Sequence, residues 1–323
     1  MRLKKKLAEA LPLLAAFAVF AALLLRPQEA ANGARAGLSL CVRTLVPALF
    51  PFLVVSNLLL RLGAPQKLGK FFAPLMRRLF GVGGAGSAAF LLGVSGGYPL
   101  GAAAVTELCK SGAIEKKEAG RLLGFCDNSG PAFIVSAVGV AAFGSVKAGL
   151  FLYLVHVLAA ALTGISQRRG AQPGGEAADF SPLSFPLAFT QSVRASADTM
   201  VTICAFVLFF SVLVGILDSF GWLFLLSGGI SLHFGEELHF ARALLLGLLE
   251  LGNGALALQG LACTAKNLAL AAFLLGWGGL SVHAQAAAVI LQGGLSPARH
   301  SLGKLAHGLW SALLAMLLYP LFF

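Results

Sequence analysis

Residues that could bind a small solute occur in four short polar clusters, each set in apolar sequence. The clusters are SGGYPLG (95–101), DNSGP (127–131), ELGNG (250–254) and GGLSVHAQ (278–285). Each combines glycine or proline, which interrupts a helix, with hydroxyl, amide or carboxylate side chains. In hydrocarbon, non-helical backbone is tolerated only where it is buried in protein or lines a cavity, because unpaired N–H and C=O groups are costly there. The clusters therefore predict interrupted membrane helices around a binding site.

The candidate substrate-binding residues are the polar and glycine residues of these clusters. They are Ser95, Gly96, Gly97, Tyr98, Asn128, Ser129, Gly130, Glu250, Asn253, Ser281, His283 and Gln285. A second interpretation stays open, in which the clusters are packing breaks with small residues at close helix contacts.

Three of the serines stand where a new half-helix is expected to begin. Ser95 precedes Pro99, Ser129 precedes Pro131, and Ser281 precedes Val282. Serine before a helix and proline at its first position are ordinary start signals. A helix N-terminus carries about half a positive elementary charge and free N–H donors. Several such termini meeting near the membrane centre would bind an anion without a buried arginine.

Single ionisable or aromatic residues have two interpretations each. Glu250 lies in an apolar run, so its carboxyl group must be protonated, paired or in contact with water. It is either a proton-coupling group or a structural hydrogen-bonding partner, for instance of Asn253. Tyr98 either stacks on an aromatic substrate or packs at a helix interface. His156 is expected to be an interior histidine rather than a ligand.

Composition identifies a membrane protein with several spans. Hydrophobic residues make up 58% of the chain and charged residues 11%, and apolar runs recur along most of its length. The net charge of +11 comes from Lys and Arg in short clusters between these runs, which fits orientation in a membrane rather than nucleic-acid binding.

The five cysteines are scattered without a C-x-x-C pair, so neither a disulfide framework nor a zinc site is indicated. Motifs of soluble enzymes are absent, and we predict no enzyme activity and no cofactor.

The first part of the chain predicts two spans and a basic surface segment. A lysine cluster precedes the apolar run Leu11–Leu25, which we interpret as a retained first span with a cytoplasmic N-terminus; a cleaved secretory signal peptide is the alternative. The second span is Leu38–Leu62. Phe71–Phe80 is expected to lie as an amphipathic helix along the inner membrane surface.

The next segments predict a hairpin and a broken helix. Ser87–Leu108 contains SGGYPLG midway, and each half is too short to cross about 30 Å of hydrocarbon at about 1.5 Å per residue. We therefore expect a re-entrant hairpin, followed by the basic loop Lys110–Arg121. Leu122–Phe143 is expected to cross as two half-helices, and Val146–Ile165 to cross back.

A polar linker, 167–187, divides the chain into comparable halves, and the second half repeats the order of features. A span at 192–221 is followed by a hairpin at Ala243–Cys263, a helix broken at GGLSVHAQ, and a final span Leu305–Leu321 after a basic turn containing Arg299 and Lys304.

The predicted domains are an N-terminal helix and connection (1–33), a first repeat (34–166), the cytoplasmic linker, and a second repeat (188–323). Tracing the crossings gives the repeats opposite orientation, a recurrent plan in secondary transporters. The predicted fold is an all-α polytopic membrane protein built from two inverted repeats, each with a re-entrant hairpin and a broken transmembrane helix.

The motifs GVSGGYPLGA and RLLGFCDNSGPAFIVSAVG, together with ELGNG and GGLSVHAQ, resemble the YlbJ-like family of sporulation integral membrane proteins. That family carries the nucleoside-recognition Gate domain, which also occurs in spore maturation proteins, ferrous iron transporters and concentrative nucleoside transporters. The resemblance implies transport of a small anionic spore metabolite, dipicolinic acid, across the outer forespore membrane.

Two classes of function remain open. The first is a transporter of a small anionic or aromatic metabolite, with nucleosides or other small solutes as the alternative substrates; the second is a non-transporting membrane scaffold in spore formation. The expected partners are the substrate and the lipid bilayer, a homo-oligomer is left open, and no metal or nucleic acid is expected. The expected location is the bacterial cell membrane or the outer forespore membrane.

Overall fold

A computed structural model describes residues 2–168 and 183–323, and every regular element in those ranges is helical. In the first range the helices are α1 (Arg2–Leu25), α2 (Pro27–Leu40), α3 (Val46–Arg61), α4 (Ala64–Phe80), α5 (Gly84–Gly96), α6 (Leu100–Lys110), α7 (Lys116–Leu122) and α8 (Val146–Ser166), with π-helical stretches at Cys41–Leu45 and Phe133–Ala142. In the second they are α9 (Phe185–Ser219), α10 (Trp222–Phe234), α11 (Leu238–Leu249), α12 (Leu251–Ala257), α13 (Ala265–Trp277), α14 (Gly279–Gln292) and α15 (Ala298–Phe322).

Five helical stretches in these ranges are long and apolar enough to cross a membrane. They are Pro27–Leu59, Val146–Ser166, Phe185–Ser219, Ala265–Gln292 and Ala298–Phe322. A sixth candidate is the pair Phe71–Phe80 and Gly84–Gly96, whose axes differ by 92°. The chain is therefore an all-helical, multi-span membrane protein.

Several predicted elements are present with different ends. The predicted crossing Val146–Ile165 is α8. The second predicted span begins earlier, at Pro27, and continues through the π-helical stretch Cys41–Leu45 into α3. The apolar run Leu11–Leu25 lies in the shorter apolar helix Ala10–Leu25. Most of the predicted linker, residues 169–182, lies outside the described ranges.

Glycine and serine let the long helices approach closely. A Cβ atom on Gly276 of α13 would lie 2.6 Å from Gly308 Cα of α15, and one on Gly33 of α2 would lie 2.8 Å from Ser211 O of α9. Such close backbone contact requires small residues and is a common way to pack helices in membranes. These contacts join α13 to α15 and α2 to α9.

The contacts of α15 relate the two ends of the bundle. Near its start, Gly303 packs directly against the backbone of Gly124, which also touches the side chain of Gln167 at the end of α8. Near its other end, the Tyr319 hydroxyl donates to Cys263 O at 3.0 Å. Gly303 and Tyr319 are sixteen residues apart along α15, which corresponds to about 24 Å at about 1.5 Å per residue. Gln167 and Cys263 therefore lie at opposite ends of the bundle.

The predicted start of the last span was wrong. α15 begins at Ala298 rather than at Leu305, so Lys304 lies inside the helix instead of in a basic turn. Its side chain is buried, with 1% exposure. The reason is that Lys304 finds oxygen acceptors in the protein interior, which are described below.

Candidate functional site

The two breaks of the first half pack directly on each other. Gly97 adopts a left-handed conformation (φ 84°), and a Cβ atom there would lie 2.9 Å from Gly130 N. The carbonyl of Cys126 lies between Gly93 and Gly101, and any side chain on either glycine would overlap it. Only glycine fits these positions, so SGGYPLG and DNSGP form one unit.

The two breaks of the second half also meet. The Glu250 carboxylate accepts hydrogen bonds from Gly252 N (2.9 Å) and Asn253 N (2.6 Å), which caps α12. The Ser281 hydroxyl lies 3.5 Å from Glu250 Oε1, and a Cβ atom on Gly279 would lie 2.9 Å from Leu251 N. ELGNG and GGLSVHAQ therefore form a second unit.

A cavity of about 70 Å³ lies between the two units. Its lining comes from all four breaks and from α3, α9 and the Cys41–Leu45 stretch: Leu45, Leu49, Phe52, Leu53, Ser95, Gly96, Gly97, Tyr98, Ser129, Gly130, Pro131, Ala132, Phe133, Ile203, Val207, Glu250, Leu251, Gly252, Ser281, Val282 and Gln285. Apolar walls with a few convergent polar groups are the usual form of a small-molecule site. Its volume suits a few water molecules, so a larger ligand requires the units to move apart.

Most of the candidate residues from the sequence lie at this cavity. Ser95, Gly96, Gly97, Tyr98, Ser129, Gly130, Glu250, Ser281 and Gln285 line it.

The other three candidates lie outside the lining. Asn128 is buried and donates to Phe125 O at 3.0 Å. Asn253 donates from Nδ2 to Ser211 Oγ at 2.8 Å and to Glu250 Oε2 at 2.9 Å. His283 contacts Ser301 Oγ and Trp277 O, both at 3.1 Å.

The predicted capping role was wrong for all three serines. Gly130 O rather than Ser129 accepts the first bond of the helix that follows, and the Ser129 hydroxyl has no hydrogen-bond partner within the described ranges. Ser95 lies inside α5 and donates to Leu91 O at 2.8 Å. Ser281 lies inside α14, because Gly278, with φ 86°, turns the chain before Gly279 and starts the helix earlier. Carboxylates occupy two helix starts instead: Glu250 caps α12, and Asp127 Oδ1 accepts from Ala102 N in the first turn of α6 at 3.2 Å.

One helix N-terminus opens on the cavity with an unused hydroxyl beside it. The helix that contains Phe133–Ala142 starts after Gly130, and its first backbone bond joins Ile134 N to Gly130 O at 3.1 Å. Ala132 and Phe133, in the first turn, line the cavity. Within the described ranges, the buried Ser129 Oγ has no hydrogen-bond partner. This end of the cavity therefore offers both N–H groups and a hydroxyl to a ligand.

Behind the cavity, α15 carries a buried polar network that the sequence analysis missed. Lys304 Nζ donates to the Tyr98 hydroxyl at 2.7 Å and to Asp127 O at 2.9 Å. His300 Nε2 lies 2.9 Å from Asp127 Oδ2. Tyr98 in turn donates to Leu275 O at 2.7 Å. The network thus links α15 to both breaks of the first half and to α13.

A histidine pair extends the network along α15. His307 Nε2 donates to the main-chain oxygen of His156 at 3.0 Å, and the two rings are 4.3 Å apart. His156 Nε2 accepts from Ser129 N at 3.0 Å. The expectation that His156 is an interior residue fits its 1% exposure. Its contact with a cavity residue was not foreseen.

The sequence does contain a signal for this network. His300, Lys304, His307 and Ser311 follow one another at intervals of three or four residues, with Gly303 and Gly308 between them. That spacing places them on one face of a helix. Among the described residues, no group of three or more His, Cys, Asp or Glu is placed to hold a metal ion.

Comparison with known proteins gives the family context. Residues 42–166 match the Nucleoside recognition (Gate) family. The sporulation integral membrane protein YlbJ of Bacillus subtilis (strain 168) is 26% identical over 339 aligned positions, which cover 96% of this chain and 83% of YlbJ.

Solved structures of CNTnw share the fold. A variant in an outward-facing state is 14% identical with a TM-score of 0.57, and the protein in an inward-facing, substrate-bound state is 16% identical with a TM-score of 0.51. Each alignment covers 98% of this chain and 86% of CNTnw. The chain therefore shares the fold of CNTnw. Residues 42–166 form a Gate, or nucleoside-recognition, domain, and the chain is a distant homologue of the sporulation integral membrane protein YlbJ.

Proposed function

We propose that this protein transports a small anionic or aromatic metabolite across the membrane, and that the substrate binds in the cavity between the four breaks. The observation that carries the proposal is the lining itself, which joins glycine backbone, four hydroxyls, an amide, a carboxyl group and a helix N-terminus from both halves of the chain. Broken membrane helices that converge on a cavity are typical of secondary transporters.

Two features support an anionic substrate. The helix N-terminus at Ala132 and Phe133 offers N–H donors, and the dipole of the helix favours negative charge there. Lys304 lies directly behind Tyr98, with its Nζ 4.4 Å from the centre of the tyrosine ring. When Lys304 is protonated, its positive charge lies next to the Tyr98 wall of the cavity. By resemblance to the YlbJ-like family, the substrate is dipicolinic acid, which carries two carboxylates on an aromatic ring.

Inverted repeats provide the motion that transport needs. We propose that residues 34–166 and 188–323 are repeats of opposite orientation, each with a re-entrant hairpin (α5 with α6, and α11 with α12) and a broken helix. The cavity lies between the hairpins, so rocking of one repeat against the other would open it to each side in turn. In this arrangement the N-terminus and Arg168 are cytoplasmic and His239 is external.

The test is uptake of labelled dipicolinate by proteoliposomes that contain the full chain. We expect saturable uptake that unlabelled dipicolinate inhibits and that empty liposomes lack. Ser129→Ala should reduce it, because Ser129 lines the cavity. Ser227→Ala is the matched control, since this buried serine of α10 bonds its own helix at Leu223 O, at 2.7 Å, away from the cavity.

Nucleosides are the second candidate substrates, and the Gate family match over residues 42–166 favours them. The same proteoliposomes incubated with labelled uridine or adenosine distinguish the two. Uptake of nucleosides but not of dipicolinate would keep the site and replace the substrate. Absence of uptake for both, with protein shown to be folded by its melting transition, would favour the scaffold interpretation.

A further inference from the structure

His156 links the histidine pair to the wall of the cavity through a single hydrogen bond. The Ser129 main-chain N–H is a fixed donor, so His156 Nε2 must be the acceptor, at 3.0 Å. A neutral imidazole has one protonated nitrogen and one bare nitrogen. In this conformation His156 is therefore neutral and carries its proton on Nδ1.

Protonation of His156 is incompatible with that hydrogen bond. A second proton could only enter at Nε2, where it would face the Ser129 N–H, and two donors cannot bond to each other. The proton and the Ser129 N–H therefore compete for one lone pair. Because Ser129 lines the cavity, any movement of the break that withdraws its N–H frees Nε2.

The neighbouring charges limit the site to one proton. His307 and Lys304 of α15 face His156, with the His307 ring 4.3 Å away, and two adjacent cationic rings repel each other strongly at low dielectric. Asp127, two residues before Ser129, is paired with His300. The Tyr98 hydroxyl accepts a hydrogen bond from Lys304. Within the described ranges, His156 Nδ1 has no hydrogen-bond partner, so the Ser129 N–H is the hydrogen-bond partner of the His156 ring in this conformation.

We propose that His156 binds the coupling proton of the transporter, and that proton binding at its Nε2 and substrate binding at Ser129 favour each other. The substrate draws the Ser129 segment toward the cavity, the Ser129 N–H leaves His156, and a proton from solvent forms the new Nε2–H bond. The positive charge of the bound proton also attracts the anionic substrate, which further favours their binding together. Linkage is reciprocal, so the proton strengthens substrate binding by the same factor.

The first test needs no substrate. The full chain, labelled at histidine and serine, is reconstituted in lipid bilayers and titrated by solid-state NMR from about pH 5 to about pH 8, where histidine changes charge. At high pH we expect His156 to carry its proton on Nδ1. As pH falls, the His156 ring and the Ser129 amide should shift with one common midpoint. A Ser129 amide that stays fixed while His156 titrates, or a His156 that never titrates, would overturn the proposal.

The second test adds dipicolinate and rests on the proposed function. Above the midpoint, the apparent Kd should rise by up to about tenfold per pH unit, the limit for one proton taken up per substrate. His156→Gln keeps an acceptor for Ser129 but cannot gain a proton, so its Kd should be independent of pH. His233→Gln, which changes an exposed histidine of α10, is the matched control and should behave as wild type.

The two tests separate failure of the proton site from failure of the transport proposal. If dipicolinate and nucleosides do not bind but the NMR midpoints coincide, the proton site stands and the substrate assignment falls. If dipicolinate binds with the same pH dependence in wild type and His156→Gln, His156 is not the coupling site. Loss of that dependence in Glu250→Gln instead would assign the coupling to the carboxylate.

Discussion

Asp127 and Glu250 are the carboxylates of the four breaks, one in each half of the chain, and their surroundings differ. Both are buried, and both accept backbone N–H bonds at the start of a helix. Asp127 is paired with His300, and its main-chain oxygen accepts from Lys304. Glu250 has only neutral donors, from Gly252, Asn253 and Ser281, and it lines the cavity.

The difference assigns the two carboxylates different tasks. A buried carboxylate that accepts hydrogen bonds from a buried histidine ring and from a helix start holds structure, because removing it leaves those donors unsatisfied. A buried carboxyl group with neutral donors beside a cavity can exist with or without its proton and can respond to a ligand. We interpret Asp127 as a structural anchor and Glu250 as a group that responds to the ligand.

The largest expected effect is that of Asp127→Ala. It removes the carboxylate partner of the buried His300, while Lys304 keeps its bond to the main-chain oxygen of residue 127. Removing one partner of a buried pair typically costs about 3 to 5 kcal/mol. The free energy of unfolding should fall accordingly, measured as a lower melting temperature in detergent. Asp218→Ala is the control, because its ion pair with Arg242 is exposed and such pairs contribute at most about 1 kcal/mol. Equal melting of the two variants would contradict the role of Asp127.

Glu250→Gln should have a smaller effect on stability. The amide oxygen can still accept at one side of the cap, but the amide NH2 group faces an N–H donor at the other, so we expect a loss of about 1 to 2 kcal/mol. Dipicolinate should bind at least as tightly as to wild type, since a like charge is removed from the cavity. A melting temperature as low as that of Asp127→Ala would erase the distinction between the two carboxylates.

The neighbouring pair Asn128 and Ser129 sharpens the same comparison. Both residues were predicted to bind substrate, but only Ser129 lies in the cavity lining. Ser129→Ala should weaken dipicolinate binding by roughly ten- to a hundred-fold, because a hydrogen bond to a charged group is worth about 1.5 to 3 kcal/mol. Its melting temperature should stay close to that of wild type.

Asn128→Ala should show the opposite pattern. It loses the hydrogen bond to Phe125 O, so the melting temperature should fall while affinity changes little. Isothermal titration and melting of both variants decide the assignment. A melting drop with unchanged affinity in both would remove Ser129 from the site.

The sequence predicted where the helices break better than what surrounds the breaks. Glycine and proline next to polar residues in apolar sequence indicate a helix break without any knowledge of tertiary contacts. The four breaks that line the cavity were therefore identified from the sequence. Lys304 was missed because a lysine beside an apolar run normally marks a span end. Its acceptors, Tyr98 and the Asp127 carbonyl, are 206 and 177 residues away, and local sequence does not report such contacts.

The serine caps failed for a related reason. Local start signals favoured Ser95 and Ser281, but the chain begins these half-helices elsewhere because Gly278 turns it earlier and because Asp127 supplies a cap from another segment. A carboxylate can cap a helix that is distant in sequence. The positions of helix ends in this fold therefore depend on tertiary contacts.

The central claim is that substrate occupies the cavity between the four breaks, and protection of an introduced cysteine tests it most directly. Ser95→Cys places a thiol at an exposed position of the lining, and the unsubstituted chain reports the background from the native cysteines. With transport of dipicolinate established for the variant, saturating dipicolinate should slow modification of Cys at this position by a water-soluble thiol reagent. An unchanged modification rate at saturating substrate would contradict the account.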